Sequence, residues 1–125
     1  MGRILIAEDE TDLRELMALI LEAAGHTVEA VADGIAAIGH LAEQRPDLVV
    51  LDVVMPRATG LEVLDAIRDR PGQRPRVLML SALASPHDVE ACFRAGADDH
   101  LTKPFTMSEL QQRVQTLLDE RTAQP

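Results

Sequence analysis

The 125-residue sequence contains no Trp and no Tyr, and Phe93 and Phe105 are its two aromatic residues. Sites that stack nucleic-acid bases or sugars rely on aromatic side chains, so this composition argues against both classes. The core must therefore be aliphatic. A single cysteine, Cys92, excludes an internal disulfide and fits a reducing compartment.

Positive charge is also scarce, because 12 Lys and Arg residues face 21 Asp and Glu residues, for a formal net charge of −9. Such a surface repels phosphate backbones and anionic lipids, so we expect no direct binding of nucleic acid or membrane. No apolar run is long enough for a signal peptide or a membrane span. We therefore expect one cytoplasmic domain, since this length leaves no room for a second.

Three short runs, residues 4–7, 48–51 and 77–80, are almost wholly apolar. Continuous apolar runs of this length are typical of strands buried on both faces of a parallel sheet. Residues 26–31 and 100–102 mix polar and apolar side chains, which is the pattern of edge strands. The sequence thus predicts three inner strands and two edge strands.

Segments with helical spacing follow each strand, and several carry boundary signals. Gly25 should end the first helix, Asp33 and Ser85 should cap the second and fourth, and Thr106 with Glu109 forms a capping box before the fifth. The residues expected to face inward are Leu13, Leu16, Met17, Ile20, Leu21 and Ala24, then Ile35, Ile38 and Leu41, then Leu61, Leu64 and Ile67, then Val89, Cys92 and Phe93, and finally Leu110, Val114, Leu117 and Leu118.

Strict alternation of five strands and five helices predicts a doubly wound α/β fold with a parallel sheet and helices on both faces. Because the most apolar strands belong in the centre, the strand order 2-1-3-4-5 follows. We expect residues 1–121 to form this domain and residues 122–125 to form a flexible tail.

Polar residues lie at the ends of four of the predicted strands. Glu8 and Asp9 follow the first strand, Asp52 ends the third, Ser81 the fourth and Lys103 the fifth. Ligands of open α/β sheets bind at this edge, but the glycine-rich turn of a dinucleotide site and the P-loop are both absent. Converging carboxylates suit a hard, mostly hydrated cation, so we predict Mg²⁺ held by Asp9 and Asp52, with Glu8 reaching it through water.

A cation beside an ammonium and a hydroxyl is what phosphoryl transfer needs. Asp52 is the candidate nucleophile, since a carboxylate is ionised at neutral pH and requires no general base. Lys103 and Ser81 would bind the phosphoryl oxygens. The bond between Lys103 and Pro104 is a candidate for the cis isomer.

These motifs, in their order and spacing, resemble the receiver domain of two-component response regulators over essentially the whole chain. The resemblance implies a (βα)5 flavodoxin-like three-layer sandwich. The matching segments are residues 4–10 with the acidic pair, residues 51–56, Gly60, Ser81-Ala82, residues 95–99 and residues 103–105.

The resemblance also implies a function. A sensor histidine kinase or a histidine phosphotransfer protein would pass a phosphoryl group to Asp52, with Mg²⁺ (or Mn²⁺) bound by Asp9, Asp52 and the backbone carbonyl of Val54. Ser81 and the residue at the position of His100 would act as the switch. Phosphorylation would change the face formed by the fourth helix, fifth strand and fifth helix, and so regulate a downstream effector protein.

With no output module after the fifth helix, we expect a stand-alone receiver that is a monomer or a weak homodimer. It would catalyse only its own phosphoryl transfer and a slow autodephosphorylation, so it would not be an enzyme in the ordinary sense.

The sequence departs from the commonest family pattern in three places. His100 stands where an aromatic switch residue is expected, and histidine titrates near neutral pH. Glu8 replaces an Asp, which should leave metal binding intact. Val54 and Leu83 are apolar where some members carry side chains that orient water, which predicts a long-lived phosphoryl group.

Two other functions fit the fold. A phosphatase of the haloacid dehalogenase type also uses a nucleophilic Asp, but it needs a second Asp two residues on, where this chain has Val54. An interaction module that works without phosphorylation would keep the fold alone. The presence of Asp9, Asp52, Ser81 and Lys103 together disfavours that alternative.

Overall fold

A computed structural model describes residues 2–55, 57, 59–82 and 85–123. Strands and helices alternate along the chain, as predicted. The elements are β1 (Arg3–Ala7), α1 (Thr11–Ala23), β2 (Thr27–Val31), α2 (Gly34–Glu43), β3 (Leu48–Asp52), α3 (Gly60–Arg68), β4 (Arg76–Ser81), α4 (Pro86–Arg94), β5 (Asp99–Thr102) and α5 (Met107–Ala123).

The five strands form one parallel sheet in the order β2-β1-β3-β4-β5, which confirms the predicted topology. Every residue of β3 is buried, and β4 is buried from its second residue onward, as expected for central strands covered on both faces. The edge strand β2 is largely exposed. All five strands therefore end at one edge of the sheet, which we call the carboxyl end, and begin at the opposite amino end.

Two aliphatic cores lie on opposite faces of the sheet. One packs α2, α3 and α4 against residues such as Val49, Leu51 and Met79. The other packs α1 and α5 against residues such as Ile6, Val50 and Leu80. Successive side chains of β3 point to opposite faces of the sheet, so the strand contributes residues to both cores. The sheet with helices on both faces forms a three-layer sandwich.

The predicted helix caps and the predicted end of α1 are confirmed. The Asp33 carboxylate accepts a hydrogen bond from the N–H of Ala36 at 2.8 Å. The capping box of α5 is reciprocal, because Thr106 Oγ1 accepts from the N–H of Glu109 and Glu109 Oε1 accepts from the N–H of Thr106, both at 3.0 Å. Gly25 follows α1 with a φ of 100°, the left-handed conformation that glycine adopts without strain.

Several residues expected to face inward do not. Leu16, Ile35, Leu61 and Phe93 are each between 39% and 49% exposed, and Ala24 at the end of α1 is also exposed. In α1, Met17 and Leu21 face the sheet, so the adjacent Leu16 is turned away from it. In α4, Cys92 faces the sheet, so the adjacent Phe93 is turned away. A helix packed on a sheet buries only a narrow stripe of its surface. The apolar stripe on each of these helices is wider than the stripe that the sheet covers.

The last helix continues to Ala123, two residues into the segment predicted as a tail, and Gln124 and Pro125 lie outside the described residues. Of the helices just given, none has the length and apolarity that crossing a membrane requires.

Candidate functional site

The carboxyl end of the sheet brings together the polar residues singled out in the sequence. β1, β3 and β4 are neighbours, so the loop after β1 lies beside the last residues of β3 and β4, Asp52 and Ser81. Lys103 follows the edge strand β5 and reaches back across β4. Residues far apart in the chain thus form one site.

Asp52 lies at the centre of this site and is 4% exposed. Its Oδ1 accepts a hydrogen bond from the backbone N–H of Val54 at 3.1 Å, and its Oδ2 lies 2.9 Å from Nζ of Lys103. One oxygen is therefore oriented by the turn after β3 and the other by an ammonium group.

Lys103 bridges two carboxylates, because its Nζ also lies 2.7 Å from Oε1 of Glu8. Glu8 is completely buried, and this burial is the main reason that its pKa rises to about 7, with its hydrogen bond to Asp52 as the second cause. Burial alone would lower the pKa of Lys103, but hydrogen bonds to Glu8 and Asp52 outweigh it and raise that pKa. The site therefore keeps its lysine charged.

Glu8, Asp9 and Asp52 each offer a carboxylate oxygen, and the three oxygens lie within 4.8 Å of one another. Asp9 is exposed, whereas Glu8 and Asp52 are buried. An all-oxygen set with one solvent-facing member fits a hard divalent cation that keeps part of its water shell.

Gly60 allows α3 to begin directly against the end of β3. Its N–H donates to the carbonyl oxygen of Val53 at 2.9 Å. A Cβ atom at this position would clash with the carbonyl oxygen of Asp52 and would lie 2.9 Å from Cα of Val53. This glycine was singled out in the sequence, but only the packing shows why a side chain is excluded there.

Arg14 belongs to the site and was missed from the sequence. Its Nη1 donates to the backbone carbonyl oxygens of Glu8, at 2.9 Å, and of Asp9, at 3.4 Å. It therefore fixes the loop that carries both acidic side chains. The sequence feature that could have identified Arg14 is a single positive charge in the first turn of a helix that directly follows several acidic residues.

Two further predicted residues lie on β4 and β5. Ser81 is 2% exposed, and its backbone carbonyl accepts from the N–H of Lys103 at 2.8 Å. His100 pairs with Met79 in the sheet and is 8% exposed. Its Nε2 is buried with no hydrogen-bond partner among the described residues, and burial lowers its pKa.

The bond between Lys103 and Pro104 is cis, as the sequence indicated. Leu83, which was expected to border the site, lies outside the described residues.

The chain is similar to known proteins in both sequence and fold. The response regulator receiver domain family matches residues 4–115. Response regulator MprA of Mycobacterium sp. (strain KMS) is 43% identical over 116 residues, which cover 93% of this chain and 50% of that protein. The chain therefore spans about half the length of the curated relatives it matches.

Two solved structures are similar over nearly all of their length. The chemotaxis response regulator CheY4 of Vibrio cholerae has a TM-score of 0.88 and 31% identity, covering 94% of this chain and 98% of that one. The receiver domain of sensor histidine kinase PA1611 of Pseudomonas aeruginosa PAO1 has a TM-score of 0.85 and 34% identity over the same shares, and it has a magnesium ion coordinated in its active-site cleft.

Proposed function

Because the chain belongs to the response regulator receiver domain family, we propose that it is a phosphorylation-dependent switch that accepts a phosphoryl group on Asp52. One observation carries the proposal. The Asp52 carboxylate lies in a buried site, within hydrogen-bonding distance of Lys103 and beside two more carboxylates. This is the arrangement that a nucleophilic carboxylate, a phosphoryl-binding cation and a metal would need.

The oxygen donors fit Mg²⁺ (or Mn²⁺), and the PA1611 receiver domain provides a precedent for magnesium in such a cleft. Asp9, Asp52 and the backbone carbonyl of Val54 would hold the ion, and Glu8 would reach it through water. When bound, the ion would neutralise negative charge on the phosphoryl oxygens.

The residues of the chain then have distinct roles. An oxygen of Asp52 attacks the phosphorus atom of a phosphohistidine, a new O–P bond forms, and the P–N bond breaks with its electron pair left on the imidazole nitrogen. Lys103, already 2.9 Å from Asp52, binds one oxygen of the transferred group, and Ser81 donates its hydroxyl to another. The donor would be a sensor histidine kinase or a histidine phosphotransfer protein.

Phosphorylation would alter the surface formed by α4, β5 and α5. The incoming group adds roughly −1.5 to −2 charges to a site already rich in carboxylates. Ser81 ends β4 and His100 lies on β5, so both connect the site to this surface. The phosphoryl group would shift an equilibrium between two arrangements of that surface, and a downstream effector protein would bind one of them.

Val54 supports a long-lived phosphoryl group. Its side chain is 66% exposed directly after the Asp52 turn, and it has no polar atom that could orient an attacking water. Replacing Val54 with Asn, alone or together with Leu83→Glu, should therefore accelerate dephosphorylation. An unchanged decay rate would contradict this role.

The test is to incubate the protein with Mg²⁺ and acetyl phosphate, and then to measure intact mass and sensitivity to hydroxylamine. We expect one hydroxylamine-labile phosphoryl group per chain, lost in Asp52→Asn and retained in the matched control Asp12→Asn, which removes an exposed carboxylate of α1. Continuous release of phosphate from many donors would instead indicate a phosphatase. No modification at all would favour an interaction module.

A further inference from the structure

Three arginines lie together at the amino end of the sheet, on the side opposite the candidate phosphorylation site. Arg3 is the first residue of β1, Arg45 lies between α2 and β3, and Arg70 lies between α3 and β4. We call these residues the arginine cluster. None of the three forms an ion pair with a carboxylate in the part of the chain that the structure describes.

That lack of pairing is unexpected in a chain with 21 acidic residues. Glu43, Asp47 and Asp69 are close in sequence, yet Asp47 pairs with Arg121 instead, its Oδ1 lying 2.7 Å from Nη1 of that residue. Among the described residues, three arginines without an ion pair therefore lie at one end of a strongly acidic protein.

Hydrogen bonds to neutral oxygens hold the cluster in place. Arg45 Nη1 donates to the carbonyl oxygen of Pro71 at 3.1 Å, and Arg70 Nη2 donates to the carbonyl oxygen of Gln44 at 3.2 Å, so the two loops are tied to each other. Arg3 Nη2 donates to the side-chain oxygen of Gln44 at 2.8 Å. Each guanidinium keeps further N–H donors beyond the one used here.

Two features show that the loops are shaped around these side chains. Gly72 has a φ of 90°, and a Cβ atom there would lie 3.3 Å from Nη1 of Arg45, so glycine lets the loop approach that guanidinium. Arg70 Nη1 is buried with no hydrogen-bond acceptor among the described residues. A buried guanidinium nitrogen without an acceptor is costly unless a water molecule or a ligand supplies one.

We propose that the arginine cluster binds a phosphate-bearing small molecule, with a pyrophosphate group as the best match. Planar guanidinium groups recognise phosphate through paired N–H donors. Three positive charges match the charge of a pyrophosphate, and they come from β1 and from two separate loops. The group could belong to free pyrophosphate or to a nucleotide such as ADP.

The positive charge of Arg45 also acts on Arg70. Burial lowers the pKa of Arg70, and the neighbouring Arg45 adds to this effect. A bound anion would relieve the repulsion between the two guanidinium groups. The site lies at the far edge of the sheet from Asp52, so its occupation should not require phosphorylation.

The test is a titration of the full ¹⁵N-labelled chain with pyrophosphate, followed by NMR in magnesium-free buffer at constant ionic strength. We expect saturable shifts of the amides of residues 44–46 and 70–73, with a dissociation constant of about 1 mM or lower. Arg45→Gln and Arg70→Gln should each weaken binding at least ~10-fold, whereas Asp52→Asn should bind like the parent chain. A parallel titration with ADP distinguishes a nucleotide from free pyrophosphate.

Arg94→Gln is the matched control, because it removes the same charge from the exposed end of α4, where Arg94 pairs with Glu90. Its affinity should change less than about twofold. Arg70→Lys keeps the positive charge but removes the planar guanidinium and its paired N–H donors. This variant should therefore lose most of the affinity for pyrophosphate. If Arg70→Gln does not fold, Arg45→Gln decides alone, since Arg45 is exposed. Shifts that do not saturate, or equal weakening in Arg94→Gln, would overturn the proposal.

Discussion

At the carboxyl end of the sheet, three carboxylate oxygens converge within 4.8 Å, and Lys103 contacts two of the three side chains. At the amino end, an acidic side chain cross-links two elements, and the arginine cluster is held by hydrogen bonds to neutral oxygens. There Asp47 accepts from the N–H of Arg3 and pairs with Arg121, which ties the start of β1 to the end of α5. The carboxyl end thus concentrates carboxylates around one lysine, whereas the amino end combines the Asp47 cross-links with the arginine cluster.

The difference separates function from stability. Packed carboxylates repel one another, so the carboxyl end stores unfavourable interactions that a cation or a phosphoryl group can change. The Asp47 cross-links at the amino end join β1 to α5 and use no carboxylate of the candidate metal site. Substitutions at the two ends should therefore respond differently to divalent metal.

The largest effect is expected for Lys103→Met. Two buried carboxylates lose their cation, so the free energy of unfolding without metal should fall by about 2–3 kcal/mol. Added Mg²⁺ should restore much of this loss, as measured by urea unfolding with and without the ion. Arg113→Met is the control, since Arg113 pairs with Asp99 near the surface and should cost under about 1 kcal/mol. Equal losses in the two variants, insensitive to Mg²⁺, would contradict the comparison.

Protonation of Glu8 should compete with metal binding. Because the pKa of Glu8 is raised to about 7, its proton must leave before the carboxylate can serve the ion. Raising the pH from about 6 to about 8 should therefore lower the apparent dissociation constant for Mg²⁺ by about tenfold. Calorimetric titration at both pH values measures this change. Glu8→Gln should flatten the dependence, and a slope that persists in that variant would assign it to another group.

Asp47→Asn tests the amino end. It weakens the hydrogen bonds to the N–H of Arg3 and to Arg121, and the free energy of unfolding should fall by about 1–2 kcal/mol. The loss should be the same with and without Mg²⁺, in contrast to Lys103→Met. Asp119→Asn, which alters an exposed residue of α5, should have almost no effect. A loss that Mg²⁺ reverses would show that the two ends are not independent.

The smallest effect concerns His100, which lies at neither end. Burial lowers its pKa below 6.5, so the unfolded chain takes up the proton at a higher pH than the folded chain does. The contribution of His100 to stability is therefore constant above about 6.5 and is lost as the pH falls toward its folded-state pKa. His100→Phe should be less destabilised by acid than the parent chain in urea unfolding at two pH values. Parallel losses would assign the acid sensitivity to groups other than His100, such as His26, whose pKa burial also lowers.

Most of the fold could be predicted because it depends on local patterns. Buried strands need continuous apolar runs, and the Thr106–Glu109 box uses side chains three residues apart, so both are visible in a short window. Because the apolar runs also mark where each strand ends, the sequence predicted that Asp9, Asp52 and Ser81 lie at one edge of the sheet. Helix faces were less predictable, since Phe93 and Leu16 belong to apolar stripes wider than the surface that the sheet covers.

The sequence by itself determined the doubly wound fold and the chemistry available at the carboxyl end, because residue type and position along a strand decide both. Only the tertiary structure decided which groups touch. Lys103 meets Glu8 across 95 positions of the chain, and Arg45 and Arg70 tie two loops that are 26 positions apart. Such contacts depend on how the strands and loops pack in space. They cannot be predicted from the spacing of the residues along the chain, because residues far apart in sequence become neighbours only in the folded protein.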